Sequence, residues 1–207
     1  CAGNEFSIIG YGGSAGGAKS HAIRDVALIL ASELATLKVL IIRRISTELT
    51  SNHINPFFQK YPELRNLFNK TERILYLPNG STIHFGSSNN EDDIYSFQGA
   101  EYDLIFIDEA THFTQAMIEF LMTRNRSTIN GFRAKTSMTM NPGGIGHAYI
   151  KRIFIDKQYT DNEIADNYVF IQAKISDNVL WCIDTLRQKG HTVQEYYEKW
   201  TENERFD

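Results

Sequence analysis

Apolar positions along the chain follow two alternating rhythms, and that alternation predicts an architecture before any motif is considered. Short runs rich in apolar or β-branched residues at 5–10, 39–43, 104–108, 135–140 and 168–173 read as strands. Between them the apolar positions recur at helical period. In 20–37, Ile23, Ala27, Leu30, Ala31 and Leu34 share one face. Segments 47–61, 114–122, 147–154 and 184–200 are also predicted helical. Pro56 limits the middle of the first of these, and Thr114 can cap the second. Strands alternating with helices predict an α/β fold, a mostly parallel sheet flanked by helices. A hairpin interrupts the alternation: 73–77 and 82–85 flank Pro78-Asn79-Gly80-Ser81. Segment 89–99 reads as a polar surface loop.

Composition narrows the picture only a little. The 207 residues suit one large domain, and 13 Phe with 10 Tyr supply material for a sizeable core. A net charge of −4 gives no overall electrostatic footprint for nucleic acid, which leaves a local patch or a ring of subunits as routes to DNA. Cys1 and Cys182 make no disulfide framework, and a reduced, intracellular setting is expected. No apolar stretch approaches the roughly 18–20 residues needed to span a bilayer, and no leader pattern is visible. The chain begins with Cys1 rather than Met, so it is expected to start inside a longer protein.

Two segments carry chemistry. The first predicted strand runs into Gly12-Gly13-Ser14-Ala15-Gly16-Gly17-Ala18-Lys19-Ser20, and a helix follows. Phosphate is bound by converging backbone N–H groups at a helix N-terminus together with one lysine, and glycines let the backbone approach the anion. Gly13, Ser14, Ala15, Gly16, Gly17, Ala18, Lys19 and Ser20 are the candidate cradle. Lys19 would contact the β- and γ-phosphates of ATP, and Ser20 would ligate Mg²⁺. Ala18 stands where the phosphate-loop pattern has its final glycine, a position that alanine tolerates poorly at positive φ.

The second segment, Asp103-Leu104-Ile105-Phe106-Ile107-Asp108-Glu109, is an apolar strand ending in two acids. Such a strand delivers Asp108 to the carboxyl edge of the sheet, where it would hold Mg²⁺, and Glu109 would deprotonate the attacking water. Standing alone, an Asp-Glu pair also suits a plain solvated turn. A third strand ends at Thr139-Met140-Asn141-Pro142-Gly143-Gly144. Thr139 and Asn141 are candidates to sense the γ-phosphate and relay its loss.

Taken together, these segments resemble the ATPase domain of the large terminase subunit of tailed bacteriophages. The resemblance rests on 11–20, 102–111 and 138–155 in that order, with Leu40-Ile41-Ile42-Arg43-Arg44, 79–86 and Phe97-Gln98-Gly99 in support. It covers roughly 6–175, with Asn141-Pro142-Gly143-Gly144, Gly146-His147 and Lys151 its most family-specific part. It implies the additional-strand catalytic-glutamate branch of P-loop ATPases and a motor that drives double-stranded DNA through a portal into a procapsid. It further implies Lys19, Ser20, Asp108 and Glu109 as the hydrolytic set, with Thr139 and Asn141 coupling hydrolysis to motion. A portal protein, a small terminase subunit and a homo-oligomeric ring are the implied partners, in the cytoplasm of an infected bacterial host and transiently on the procapsid. The implied division is an ATPase domain over 1–180 and a helical tail over 181–207, leading toward a nuclease domain outside this chain.

The chain departs from the family where many relatives carry an arginine: Ser14 and Ala15 fill those loop positions, and Gln98 precedes Gly99. The arginine that would stabilise transition-state charge is therefore sought among Arg43, Arg44, Arg124 and Arg126, with Arg43 placed in the catalytic set. His84, His112 and His147 fit no metal-ligand spacing. Tyr196, Tyr197 and Trp200 read as packing residues, and Lys151 with Arg152 as a solvated helix face or a contact to DNA or a neighbouring subunit. The alternatives left open are a helicase-like motor and a nucleotide-binding remnant without turnover.

Overall fold

The computed structural model describes residues 6–13, 18–127 and 129–173. The predicted helix over 184–200, with Tyr196, Tyr197 and Trp200, lies outside the described residues, as do Ser14, Ala15, Gly16 and Gly17.

Eight strands form one sheet: β1 (Ile8–Gly13), β2 (Lys38–Arg43), β3 (Phe68–Asn69), β4 (Ile74–Tyr76), β5 (Thr82–Ser87), β6 (Leu104–Ile107), β7 (Lys135–Met140) and β8 (Tyr168–Ala173). Their order is β3-β4-β5-β2-β6-β7-β1-β8. All pairs are parallel except those of the β3-β4-β5 meander at one edge. β7 is inserted between β1, which leads into the glycine loop, and β6, which ends at the acids. Parallel strands align their carboxyl ends, so Gly13, Arg43, Asp108 and Asn141 all emerge on one rim.

Alternation along β2 shows how the sheet divides the core. Val39 and Ile41 face a cluster with Ile23 and Ala27 of helix α1 (Lys19–Glu33) and with Phe57, Ile83 and Phe85. Leu40 and Ile42 face the opposite cluster, with Phe113, Ile118 of helix α4 (Gln115–Thr123) and Ile150 of helix α5 (His147–Phe154). Both faces are covered, which is why the parallel strands read as near-continuous apolar runs. No helix among the described residues is long and apolar enough to cross a membrane.

Most predicted elements stand, including the hairpin, whose turn closes through Gly80 at φ 83°, and the Thr114 cap, which accepts from Met117 N at 3.4 Å. Two readings need correction. Segment 47–61 is not one helix: α2 (Ser46–Leu49) passes into a π turn over Thr50–Ile54 and then into α3 (Asn55–Lys60). Pro56 explains the change, because it has no N–H to give the Asn52 carbonyl four residues back. The Arg24 guanidinium of α1 donates to that carbonyl instead, at 2.5 Å. Segment 89–99 is not merely a polar loop, since its 3₁₀ turn over Asp92–Phe97 buries Ile94 and Phe97. The three-residue spacing puts those two side chains on one side of such a turn.

Beyond β7, the Asn-Pro-Gly-Gly loop meets the turn that follows Glu109 backbone to backbone. Gly146 N donates to Thr111 O at 2.8 Å. A Cβ on Gly146 would collide with the Phe113 carbonyl and lie 3.3 Å from the carbonyls of Ala110 and Thr111. Peptide groups cannot swing aside as a flexible side chain can, so Gly146→Ala is expected to cost about 1–3 kcal/mol. Urea unfolding measures this, and an unchanged midpoint would contradict the close approach.

Candidate active site

β1 ends at Gly13, and the described chain resumes at Ala18, which caps α1 in the left-handed region (φ 53°, ψ 21°). The alanine thus adopts the glycine-like conformation that the phosphate-loop pattern demands, at a cost of roughly 1–2 kcal/mol. Lys19 and Ser20 open the helix, whose dipole favours an anion at this end. Lys19 is 8% exposed. Burial lowers its pKa, while the negative charges of Asp108 and Glu109 pull it the other way.

Across the rim, Asp108 follows the last residue of β6 and is 1% exposed. Ser20 Oγ donates to its two oxygens at 3.2 and 3.1 Å. Arg43 Nη1 donates to Oδ2 at 3.0 Å, and His53 Nε2 lies 2.8 Å from the same oxygen. The Thr139 hydroxyl donates to Oδ1. Burial pushes the Asp108 carboxyl up. The hydrogen bond and charge of His53, the Thr139 hydroxyl and the Arg43 guanidinium outweigh it and bring the pKa down to about 2. Asp108 is thus a carboxylate at any physiological pH.

Glu109 turns sharply out of the strand in the left-handed region (φ 54°). Its backbone N–H donates to Thr139 Oγ1 at 3.1 Å, so one hydroxyl on β7 touches both acids. Its carboxylate is held at Oε1 by Arg43 Nη2 at 2.7 Å and at Oε2 by His112 Nδ1 at 3.2 Å. At 25% exposure the side chain is the more accessible of the two acids.

The structure therefore brings Lys19, Ser20, Arg43, Asp108, Glu109 and Thr139 to one place. Asn141 stands just past β7, with Oδ1 buried and without a partner among the described residues; its carbonyl accepts from Thr111 Oγ1 at 3.1 Å. Arg43 is not a free finger: Asp108, Glu109 and Glu48 all hold it. Arg44 instead binds Ser88 O at 2.5 Å. Arg124 and Arg126 flank Asn125, whose bridge to Tyr102 sets them at the amino edge of β6, away from Asp108. Sequence reasoning does not single out His53, and the only local signal is Pro56 breaking the helix that carries it. The spacing of His112 fits no metal-ligand pattern and assigns it no role, whereas the structure sets it against Glu109.

The donors suit Mg²⁺, since a hydroxyl and a carboxylate are hard oxygen ligands. No three His, Cys, Asp or Glu side chains gather into a metal cage among the described residues. Mg²⁺ typically takes one or two carboxylates and completes its shell with phosphate oxygens and water.

The strand order, the left-handed cap before Lys19 and the acids beside it define a P-loop NTPase of the branch with an added strand between loop strand and acidic strand. A family model described as phage terminase large subunit matches residues 4–205, and the chain belongs to that family. The fold resembles the large terminase of a thermophilic bacteriophage in complex with ADP (TM-score 0.62, 16% identity), covering 86% of this chain and 42% of that one. It also resembles the HK97 bacteriophage large terminase (TM-score 0.56, 10% identity, 80% of this chain and 35% of that one). The N-terminal domain of the DNA packaging ATPase from bacteriophage phi29 matches as well (TM-score 0.51, 14% identity, 80% and 89%). The chain spans about two fifths of the length of the thermophilic phage's terminase. No curated protein matches it.

Arg43 neutralises two acids at once, one of them fully buried. Its replacement by methionine leaves Asp108 short of a cation, a change that typically costs about 3–5 kcal/mol. Arg43→Met is expected to lower stability by an amount of that order, and adding Asp108→Asn to recover part of it. Urea unfolding of the single and double variants checks this; equal stability of Arg43→Met and the unmodified chain would contradict it.

Proposed function

We propose that the chain carries the ATPase of a viral DNA-packaging motor: it hydrolyses ATP, with Mg²⁺, and the energy drives double-stranded DNA through a portal into a procapsid. One observation carries this reading. Ser20, at the start of α1, touches Asp108, at the end of β6, at 3.1 Å, so the phosphate-binding end and the acidic end form a single site.

In this reading the α1 N-terminus, Lys19 and the loop of Gly13, Ser14, Ala15, Gly16, Gly17 and Ala18 bind the phosphates. Ser20 and Asp108 hold Mg²⁺, which when bound neutralises charge on the β- and γ-phosphates. Glu109 accepts a proton from water as its oxygen attacks the γ-phosphorus; the bond to the bridging oxygen breaks and ADP leaves. Arg43 lies within 3.0 Å of both acids and is the arginine of this site. Its guanidinium would have to exchange those carboxylates for phosphate oxygens to stabilise the transition state. Thr139 and Asn141 act as the coupling pair, since the Thr139 hydroxyl joins β7 to both acids.

The reading extends to the assembly. Family membership supports a role in packaging; the assembly in this reading is a homo-oligomeric ring on the portal, fed by a small terminase subunit. The ring would work in the cytoplasm of an infected bacterial host and transiently on the procapsid. The ATPase domain of this reading takes in all the described residues, and 181–207 lie outside them.

Steady-state ATP turnover tests the enzyme. A general base contributes about 10²–10⁴-fold, so Glu109→Gln is expected to lose turnover by that factor while retaining nucleotide. Lys19→Ala is expected to lose nucleotide binding and turnover together. Equal phosphate release from the unmodified chain and both variants would overturn the enzymatic reading and favour a nucleotide-binding remnant. Turnover that responds to neither DNA nor procapsids would overturn the packaging role.

A further inference from the structure

His53 is fully buried. It occupies the π turn between α2 and α3, with Leu49, Ile54 and Phe57 as buried apolar neighbours in sequence. A position in such surroundings is ordinarily filled by an apolar side chain. Here the ring makes one side-chain hydrogen bond among the described residues, from Nε2 to Asp108 Oδ2 at 2.8 Å. Nδ1 is buried with no partner among the described residues. The molecule thus keeps a polar ring inside the core with half its hydrogen-bonding capacity idle, and the other half is spent on a single carboxylate oxygen.

The backbone around it is built to the same end. π turns within α-helices are frequent at functional sites, and this one carries His53, whose ring meets Asp108 at the sheet rim. Its position is tied to the phosphate-binding helix: Arg24, itself 8% exposed, donates to Asn52 O at 2.5 Å. Arg24 lies one turn after Ser20, on the same face of α1. That face reaches Asp108 twice, directly through Ser20 and indirectly through Arg24, the Asn52 carbonyl and the His53 ring.

We propose that His53 is a positioning residue for the metal-binding carboxylate: its Nε2–H fixes Oδ2 of Asp108 and so sets the orientation in which that carboxylate meets the cation. The proposal rests on the reading of Asp108 as a Mg²⁺ ligand. Arg43 also holds Oδ2, but it is shared with Glu109 and Glu48 and moves if either does. His53 has no such competing partner among the described residues. Hydrogen bonds behind a ligating carboxylate are worth about 10–100-fold in metal affinity or activity.

The test uses Mn²⁺ as the probe, titrated into the chain at saturating ADP and followed by loss of the free-ion EPR signal. His53→Leu keeps the apolar volume and removes the donor; His53→Gln keeps an N–H donor. His53→Leu is expected to weaken Mn²⁺ binding about tenfold to hundredfold, and His53→Gln to restore most of that loss. ADP affinity in EDTA is expected to be the same in all three proteins. Mn²⁺ binding by His53→Leu as tight as in the unmodified chain, or equal losses in the Leu and Gln variants, would overturn the proposal. Asp108→Asn separates the two levels: if it leaves Mn²⁺ affinity intact, the metal reading itself falls, and the proposal with it. Should the Leu variant melt before it can be titrated, imidazole ¹⁵N NMR of the unmodified chain decides. The expected result is a protonated Nε2 whose resonance moves when Mg²⁺-ADP is added, and an unprotonated or unresponsive Nε2 would overturn the proposal.

Discussion

Everything at this site is organised around keeping one carboxylate charged where water does not reach. Burying an ion costs several kcal/mol unless close partners offset the loss of hydration. Asp108 obtains those partners from elements far apart in the chain: Ser20 on α1, Arg43 on β2, His53 on the π turn and Thr139 on β7. The same contacts that stabilise the charge also fix where its oxygens point. Stability and site geometry are here one problem, and a change at any of these four positions acts on both.

The sheet order makes the convergence possible. β7 lies between β1 and β6, so a residue at its carboxyl end stands beside the end of β1 on one side and the acids on the other. The Thr139 hydroxyl donates a hydrogen bond to Asp108 and accepts one from the Glu109 amide. The loop beyond it is tied to the turn after Glu109 by the Gly146 N–H on the Thr111 carbonyl and by the Thr111 hydroxyl on the Asn141 carbonyl. The turn after Glu109 is thereby tied to the segment that leads into α5.

Much of this was legible in the sequence because the signals are local. Strand, glycine loop and helix occur in the order a phosphate site needs, and with that loop upstream an apolar strand ending in Asp-Glu is recognisable. Less local features escaped. The role of Arg43 depends on which carboxylates lie across the rim, and that is a property of strand order rather than of residues 38–43. His53 was hidden for a similar reason. Nothing in its neighbours indicates that Pro56 converts one turn of helix into a π turn, or that Arg24, 28 residues earlier, takes up the freed Asn52 carbonyl. Ala18 was a discrepancy in the motif, and the backbone accommodates it by accepting strain.

The central claim is that Ser20 and Asp108 are two sides of one cation-dependent nucleotide site. Its most direct test is an anomalous-scattering map from crystals grown with Mn²⁺ and ADP. The account predicts a Mn²⁺ peak beside the β-phosphate, within direct or one-water reach of both Ser20 Oγ and the Asp108 carboxylate. An ordered Mn²⁺-ADP whose metal lies out of reach of both residues would contradict it.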